Sequence, residues 1–503
     1  MMRYLGIFVG LICTAAFVSV PVGQAQPLNG TPIELTGFLP MLSDAGFTPI
    51  NQEVPLLVGR DPDNDDREPQ TAVLANGAAV AYWVNRGGSH HWSGMNPDGT
   101  RIFPVFGAGE ADVIVGVNTG SNTNWTICEP STDHTKFLIA STWQYGSLGG
   151  SDAVVPDTVG DADGVTMDEG QGHGFFKIFD MNYNEVTSGP VSVGQISLGH
   201  RDWGAAGLTD GKWAFGVLSR DHPWDFDPDG SISSDTPFLD LFNADGTRFK
   251  DEFAPTVQAG QGQITEDLTG DQGGRFHIAP MKDSFAYIIR GSGNGPKVII
   301  YDNNGNVLNS YSTEDPAMGL SIGEWIAGAG GDTFVALIGP TSGTEAMAAL
   351  GMPADLIGLP VLLARRFDAQ GPVGDYILVT TGDAGGIGRP RIAMAPNGSF
   401  ALSWEDELSD EVTFTKSMAF RVFNADGTPA SDACLAHDLP ELVLDGNPMG
   451  GNPGEPMIGM NDSFVSLVWA SRAWTNGGNR DVAMNVVANP AQGAAAVRDW
   501  ELY

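Results

Sequence analysis

Three groups of residues have types and spacings that could do chemistry. The first is acidic. Asp225, Asp227 and Asp229 alternate, Gly230 follows, and Asp235 closes the run. Hard oxygen ligands at alternate positions wrap one cation, and glycine makes the sharp bend, as at the start of an EF-hand loop. The run ends differently, with Thr236 where such a loop carries its bidentate glutamate. Asp61, Asp63 and Asp65 repeat the spacing without the glycine, and Asp161, Asp163, Asp168 and Glu169 form a third cluster around Gly164. We expect structural calcium in these loops. The alternative is that they are solvated acidic loops with no ion.

The second group is basic and aromatic. His200, Arg201, Asp202 and Trp203 are consecutive; Arg275 lies near His277, Trp325 follows Glu324, and Arg389 lies near Arg391. Arg67-Glu68, Trp125 with Glu129, and Glu455 occupy comparable places elsewhere in the chain. Bases are scarce here, 25 Lys and Arg against 61 Asp and Glu, so their recurrence is informative. Arginine grips a carboxylate or sulfate with two parallel hydrogen bonds, and tryptophan offers a flat apolar face to a sugar ring. Arg201, Trp203, Arg275, His277, Trp325, Arg389 and Arg391 are therefore the candidate ligand-binding set, for an anionic carbohydrate or another surface component. The alternative is a ring of Arg–Glu pairs that ties neighbouring units together.

The third group is catalytic, and it is thin. The chain has no Gly-x-Ser-x-Gly elbow, no His-Glu-x-x-His, no phosphate loop and no dinucleotide fingerprint. His90 and His91 are adjacent, and adjacent side chains on a strand point to opposite faces. His200 with Arg201 remains the best candidate pair. A histidine base and an arginine that neutralises a uronate would suit β-elimination on an acidic polysaccharide. A lyase is thus the alternative to a non-enzymatic binding or scaffold protein, and the sequence leaves enzyme status open.

What places these residues is an internal repeat. A strand ends in an aromatic or apolar residue and runs into an Asn/Asp-x-Asp/Asn-Gly turn. Copies are Met95–Gly99, Phe242–Gly246, Tyr301–Gly305, Phe367–Gly371 and Phe423–Gly427, with degenerate ones at Phe179–Asn182 and Val487–Gly493. Glycine supplies the positive φ that such a hairpin needs. Before each turn comes an alternating strand and then a strongly apolar one, as in Arg391–Ala395 and Ser399–Trp404. Seven units of about 60 residues follow from this spacing. A four-stranded antiparallel unit repeated seven times is a propeller array. We therefore expect an all-β fold, a single seven-bladed β-propeller over residues 67–503, with blades starting near 67, 124, 200, 274, 323, 389 and 455. Residues 26–66 form an N-terminal segment whose Val54–Val58 stretch can add a strand to the last blade and close the ring.

Arg366-Phe367-Asp368-Ala369-Gln370-Gly371-Pro372-Val373-Gly374, with Arg389–Trp404, resembles the repeat of bacterial secreted tandem-repeat propeller proteins. The likeness is good over units five to seven and weak over the first three. It implies a secreted or surface repeat protein and no fixed catalytic set.

Residues 1–25 read as an export signal: Arg3, an apolar stretch from Leu5 to Val20, then Gly23-Gln24-Ala25. We expect a secreted protein, periplasmic, extracellular or at the cell surface, with no membrane span. The formal net charge of −36 excludes nucleic acid as a partner, because phosphate recognition needs a positive face. It also argues against docking on anionic lipid. Cys128 and Cys434 fall in non-adjacent units, and two cysteines make no disulfide framework.

Overall fold

Short alternating stretches separated by glycine turns can bury one face only as antiparallel strands, and that is what the chain forms. The computed structural model describes residues 39–50, 56–57, 66–85, 90–102, 126–144, 172–189, 191–196, 203–219, 236–253, 277–290, 296–315, 320, 325–348, 352, 354–381, 386–409, 414–438, 454–471 and 481–491. A short strand, β1 (Leu56–Leu57), comes first. Blade one is β2 (Asp66–Val73), β3 (Ala79–Asn85) and β4 (His90–Met95). Blade two is β5 (Thr126–Pro130), β6 (Lys136–Gln144), β7 (Gly172–Asp180) and β8 (Val191–Ile196). Blade three is β9 (Trp203–Gly207), β10 (Trp213–Ser219), β11 (Thr236–Phe242) and β12 (Arg248–Phe253). Blade four is β13 (Ile278–Met281), β14 (Ser284–Arg290), β15 (Pro296–Asp302) and β16 (Val307–Ser312). Blade five is β17 (Ile326–Gly328), β18 (Thr333–Ser342), β19 (Pro360–Asp368) and β20 (Gly371–Thr381). Blade six is β21 (Ile387–Met394), β22 (Phe400–Ser409), β23 (Phe414–Phe423) and β24 (Cys434–Leu435). Blade seven is β25 (Gly454–Met460), β26 (Phe464–Ser471) and β27 (Asp481–Ala488).

The seven sheets are antiparallel meanders, and the expected seven-bladed propeller is what they build. The first strand of each blade packs beside the first strands of both neighbours, so seven inner strands ring one axis. Blade one departs from the four-strand expectation among the described residues. Its fourth position is a single bridge between Met95 and Arg101. β1 pairs with β27, so blade seven takes its outer strand from the N-terminal end of the chain. Upstream, Leu42 and Phe47 bury themselves in the core between blades six and seven, and Pro49 bridges Val487.

The repeat's landmarks have a packing reason. In blades two, four, five and six the aromatic before the turn stacks on an aromatic at the start of the second strand; in blade three Phe242 meets Phe215 edge-on. Ring centroids are 5.4 Å apart for Phe137–Phe179, 5.3 Å for Phe285–Tyr301, 5.5 Å for Phe334–Phe367 and 5.1 Å for Phe400–Phe423. Near the axis the opposite rule holds, and small residues are required. A Cβ on Gly328 would lie 2.4 Å from the Pro280 carbonyl oxygen, and one on Gly459 would lie 2.8 Å from that of Thr71. Cys128 and Cys434 are free thiols buried in blades two and six. No helix among the described residues is long and apolar enough to cross a membrane.

Candidate functional site at the channel mouth

The inner strands enclose an axial cavity of about 90 Å³, lined by residues from all seven. Two levels of this channel carry its chemistry.

The upper level lies where the inner strands begin. His277 precedes β13, Trp325 precedes β17, Arg391 is in β21 and Met457 in β25. Strand register puts all four at one height, each two residues before the small-residue level described below. They touch in order around the axis. The His277 and Trp325 rings are 3.6 Å apart, centroid to centroid, tilted by 34°. The Arg391 guanidinium lies 4.0 Å from the Trp325 ring centre. Its Nε donates to Met457 Sδ at 3.1 Å and its Nη1 to the Pro390 carbonyl at 3.0 Å. Blades four to seven thus contribute one side chain each to a continuous arc. Arg391 is only 4% exposed, and cation–π contact with a desolvated guanidinium contributes about 2 kcal/mol, so the arc also ties these blades together.

The lower level is one of small residues. Ala72, Ala206, Ala279, Ala327, Ala393 and Gly459 occupy it in six blades. In blade two the equivalent residue is Glu129. Two residues along a strand are about 6.7 Å, so Glu129 stands that far below the arc. It is half-buried, and burial pushes its carboxyl up to about 8. At neutral pH it is mostly a protonated acid.

The sequence-based candidates sort into three kinds. His277, Trp325 and Arg391 are brought together as the arc. Arg389 lies close to the buried Glu405 of its own blade, Nε to Oε1 at 3.6 Å, an Arg–Glu pair inside one blade and not the tie between neighbouring units weighed as the alternative. It also takes a positive φ of 41°. Trp203 opens β9. His200, Arg201 and Arg275 lie outside the described residues. So do Asp225, Asp227, Asp229, Asp235, Asp61, Asp63 and Asp65. Among the described residues no group of three or more His, Cys, Asp or Glu could hold a metal ion.

Sequence reasoning placed Glu129 among the residues of seven comparable loops without seeing that it lines a channel of alanines. Met457 carried no signal, because its role is a contact across blades. Ser417 and His437 were also missed: Ser417 Oγ lies 2.7 Å from His437 Nε2. Both are buried, and burial pushes the imidazole down to about 4. That pair is closed to any substrate and belongs to the core.

No protein-family model matches the chain, and no curated protein matches it. Solved structures do. One is a protein of unknown function from Dyadobacter fermentans, 10% identical, covering 88% of this chain and 99% of that one, with a TM-score of 0.42. Another is the alpha-L-arabinofuranosidase of Fusarium graminearum in complex with arabinobiose, 10% identical, covering 88% and 98%, with a TM-score of 0.38. A third is the β-propeller domain of the Trilobed protease from Pyrococcus furiosus, 8% identical, covering 84% and 93%, with a TM-score of 0.38. These likenesses carry no argument about chemistry.

Proposed function

We propose that this propeller is a non-enzymatic binding or scaffold protein that works outside the cell. Its ligand is an anionic carbohydrate, held at the channel mouth by the His277–Trp325–Arg391 arc. The arc is the observation that carries the reading. It sets an imidazole and an indole on the wall of the axial cavity, with a guanidinium, 4% exposed, packed on that indole, in a chain of net charge −36. A positive spot on so acidic a molecule draws an anion locally. His277 and Arg391 approach Trp325 from the blades on either side of it. A sugar therefore meets the edge of the indole and the polar rims of the arc, and its acidic group meets the guanidinium. Calcium in the loops at 61–65 and 225–235 is part of the same proposal, as a stabiliser of those loops.

The test is a panel of acidic and neutral polysaccharides against the wild type and Arg391→Lys, with melts of each in calcium and in EDTA. Lysine keeps the charge and loses the planar fork. Losing a charged hydrogen bond to a ligand costs about 1.5–3 kcal/mol, so binding to the acidic polymers should weaken roughly tenfold or more. Equal binding of acidic and neutral polymers, or no change in the variant, would end the reading. A melting temperature that EDTA leaves unchanged would remove the calcium.

A further inference from the structure

The upper level of the channel is uneven around the axis. His277, Trp325, Arg391 and Met457 fill it in blades four to seven. Strand register puts Gln70 there in blade one, Ile127 in blade two and Gly204 in blade three. Blade three therefore adds no side chain at this height. One level down, six blades carry Ala or Gly, and blade two carries Glu129. Gln70 and Glu129 stand on neighbouring inner strands, about 6.7 Å apart in height. Both line the axial cavity.

The other polar side chains that line the cavity are already committed. Ser131 Oγ donates to Asp133 at 2.7 Å, and Thr132 Oγ1 donates to the Leu208 carbonyl at 3.2 Å. Thr71 Oγ1 is paired with Ser466 Oγ at 2.8 Å. The His134 ring lies 2.5 Å from the Val73 carbonyl, and the Ala72 backbone hydrogen-bonds to the Cys128 sulfur. His277 and Trp325 pack on each other. Gln70 and Glu129 are the exceptions. Both are half-buried, and neither makes a hydrogen bond or ion pair with any described residue. A polar group drawn out of bulk water costs stability unless something partners it. Two such groups on one cavity mark a place for a partner.

We propose that the axial cavity is a hydroxyl-binding subsite, in which the Gln70 amide and the Glu129 carboxyl hold separate hydroxyls of a neutral sugar or polyol. An amide both donates and accepts, and a carboxyl accepts in either protonation state. A hydroxyl does both, so it satisfies either group. The step in height between Gln70 and Glu129 calls for a ligand with hydroxyls on more than one carbon. The cavity, about 90 Å³, has room for several waters, or for the hydroxyl-bearing edge of a sugar. Ions fit it less well. No Lys or Arg is among the described residues that line it, and Glu129 is their one acid. An anion therefore finds no countercharge there, and calcium, which takes six to eight oxygens, finds one carboxyl among alanines. The subsite rests on the carbohydrate reading of the channel mouth for its ligand class. It names the part of the sugar that enters, and Arg391 takes no part in it.

The experiment is calorimetric titration of glucose and glycerol at pH 7, with tetrahydropyran as a ring that lacks hydroxyls. It uses the wild type, Gln70→Ala, Glu129→Ala and Glu129→Gln. Glucose and glycerol should bind the wild type, and tetrahydropyran should not. Each alanine variant removes one hydrogen bond and should bind glucose about threefold to tenfold more weakly. Glutamine still donates and accepts, so Glu129→Gln should bind glucose within about twofold of the wild type. Alanine is the residue that five other blades carry at this level, so Glu129→Ala should fold; if it does not, Gln70→Ala and Glu129→Gln carry the test. Unchanged glucose affinity in the alanine variants places the sugar elsewhere and overturns the proposal. Equal binding of tetrahydropyran makes the cavity an apolar site and overturns it too. So does affinity for added calcium that disappears in Glu129→Gln, which makes it a cation site. Absence of glucose and glycerol binding to the wild type ends the subsite alone, because the arc is decided separately by acidic polymers and Arg391→Lys.

Discussion

Two kinds of acid behave oppositely in this protein. In the repeated turns, Asp98, Asp245 and Asp426 each accept the amide and hydroxyl of the threonine two residues on, at 2.6–2.9 Å. Those bonds hold their carboxyls below the usual range. Part of the chain's acid content is therefore turn chemistry. Glu129 goes the other way, because desolvation alone acts on it. Its folded value lies above the ordinary 4.5, so the native state holds the proton more tightly than the unfolded chain does. Stability from this group is full below about pH 4.5 and is lost as pH rises through about 8. Glu129→Gln, which cannot ionise, should be about as stable as the wild type at pH 5. At pH 9 it should be more stable, by on the order of 2–4 kcal/mol at most. Urea melts at the two pH values check this, and a difference of equal size at both would refute the assignment.

At the scale of the element, the inner strand is constrained by its neighbours rather than by its own propensity. Gly328 sits where β17 passes β13, and a methyl there meets the Pro280 carbonyl oxygen at 2.4 Å and Ala279 at 3.2 Å. Gly331, three residues on in the hairpin, has nothing within 4 Å and no positive φ. Gly328→Ala should cost about 1–3 kcal/mol by forcing blades four and five apart, while Gly331→Ala should be near neutral. Thermal melts of the two variants make the comparison, and equal effects would show that close approach is not what selects glycine. The same logic explains the aromatic pairs further out, where the blades diverge and large rings are needed to fill the space.

The whole molecule is a ring held shut by its own N-terminal end. Leu42 donates its amide to the His437 carbonyl, Leu435 donates to Pro40, and Ile50 donates to Val486. Phe47 packs on Phe420 with ring centroids 5.1 Å apart, and β1 then adds to β27. The segment thus crosses from blade six to blade seven before completing the last sheet. Removing residues 1–57 should lower the melting temperature and speed unfolding, because it bares an edge of blade seven and the core around Phe420 and Trp469. Phe47→Ala should do the same in part, at about 3–5 kcal/mol for a buried phenylalanine. Unchanged unfolding kinetics in the truncated chain would mean that blade-to-blade packing alone closes the ring.

What the sequence determined by itself is the local part. The Asn/Asp-Gly turns, the aromatic or apolar residue before each one and the apolar second strand are short-range signals, and their spacing counted the blades. They put the first strands within a few residues of where they lie, because a hairpin's register is set by its own turn. Tertiary structure decided the rest. His277, Trp325, Arg391 and Met457 are each a blade apart in the chain, and only closure of the ring sets them at one height. Arg389 and Arg391 look alike in sequence and, two residues apart, would share one face of a regular strand, yet a register shift between Gly388 and Arg391 and the positive φ at Arg389 send one toward Glu405 and the other onto Trp325. Glu129 reads as one acid among 61 Asp and Glu. Its altered chemistry comes from facing a channel whose walls six other blades provide.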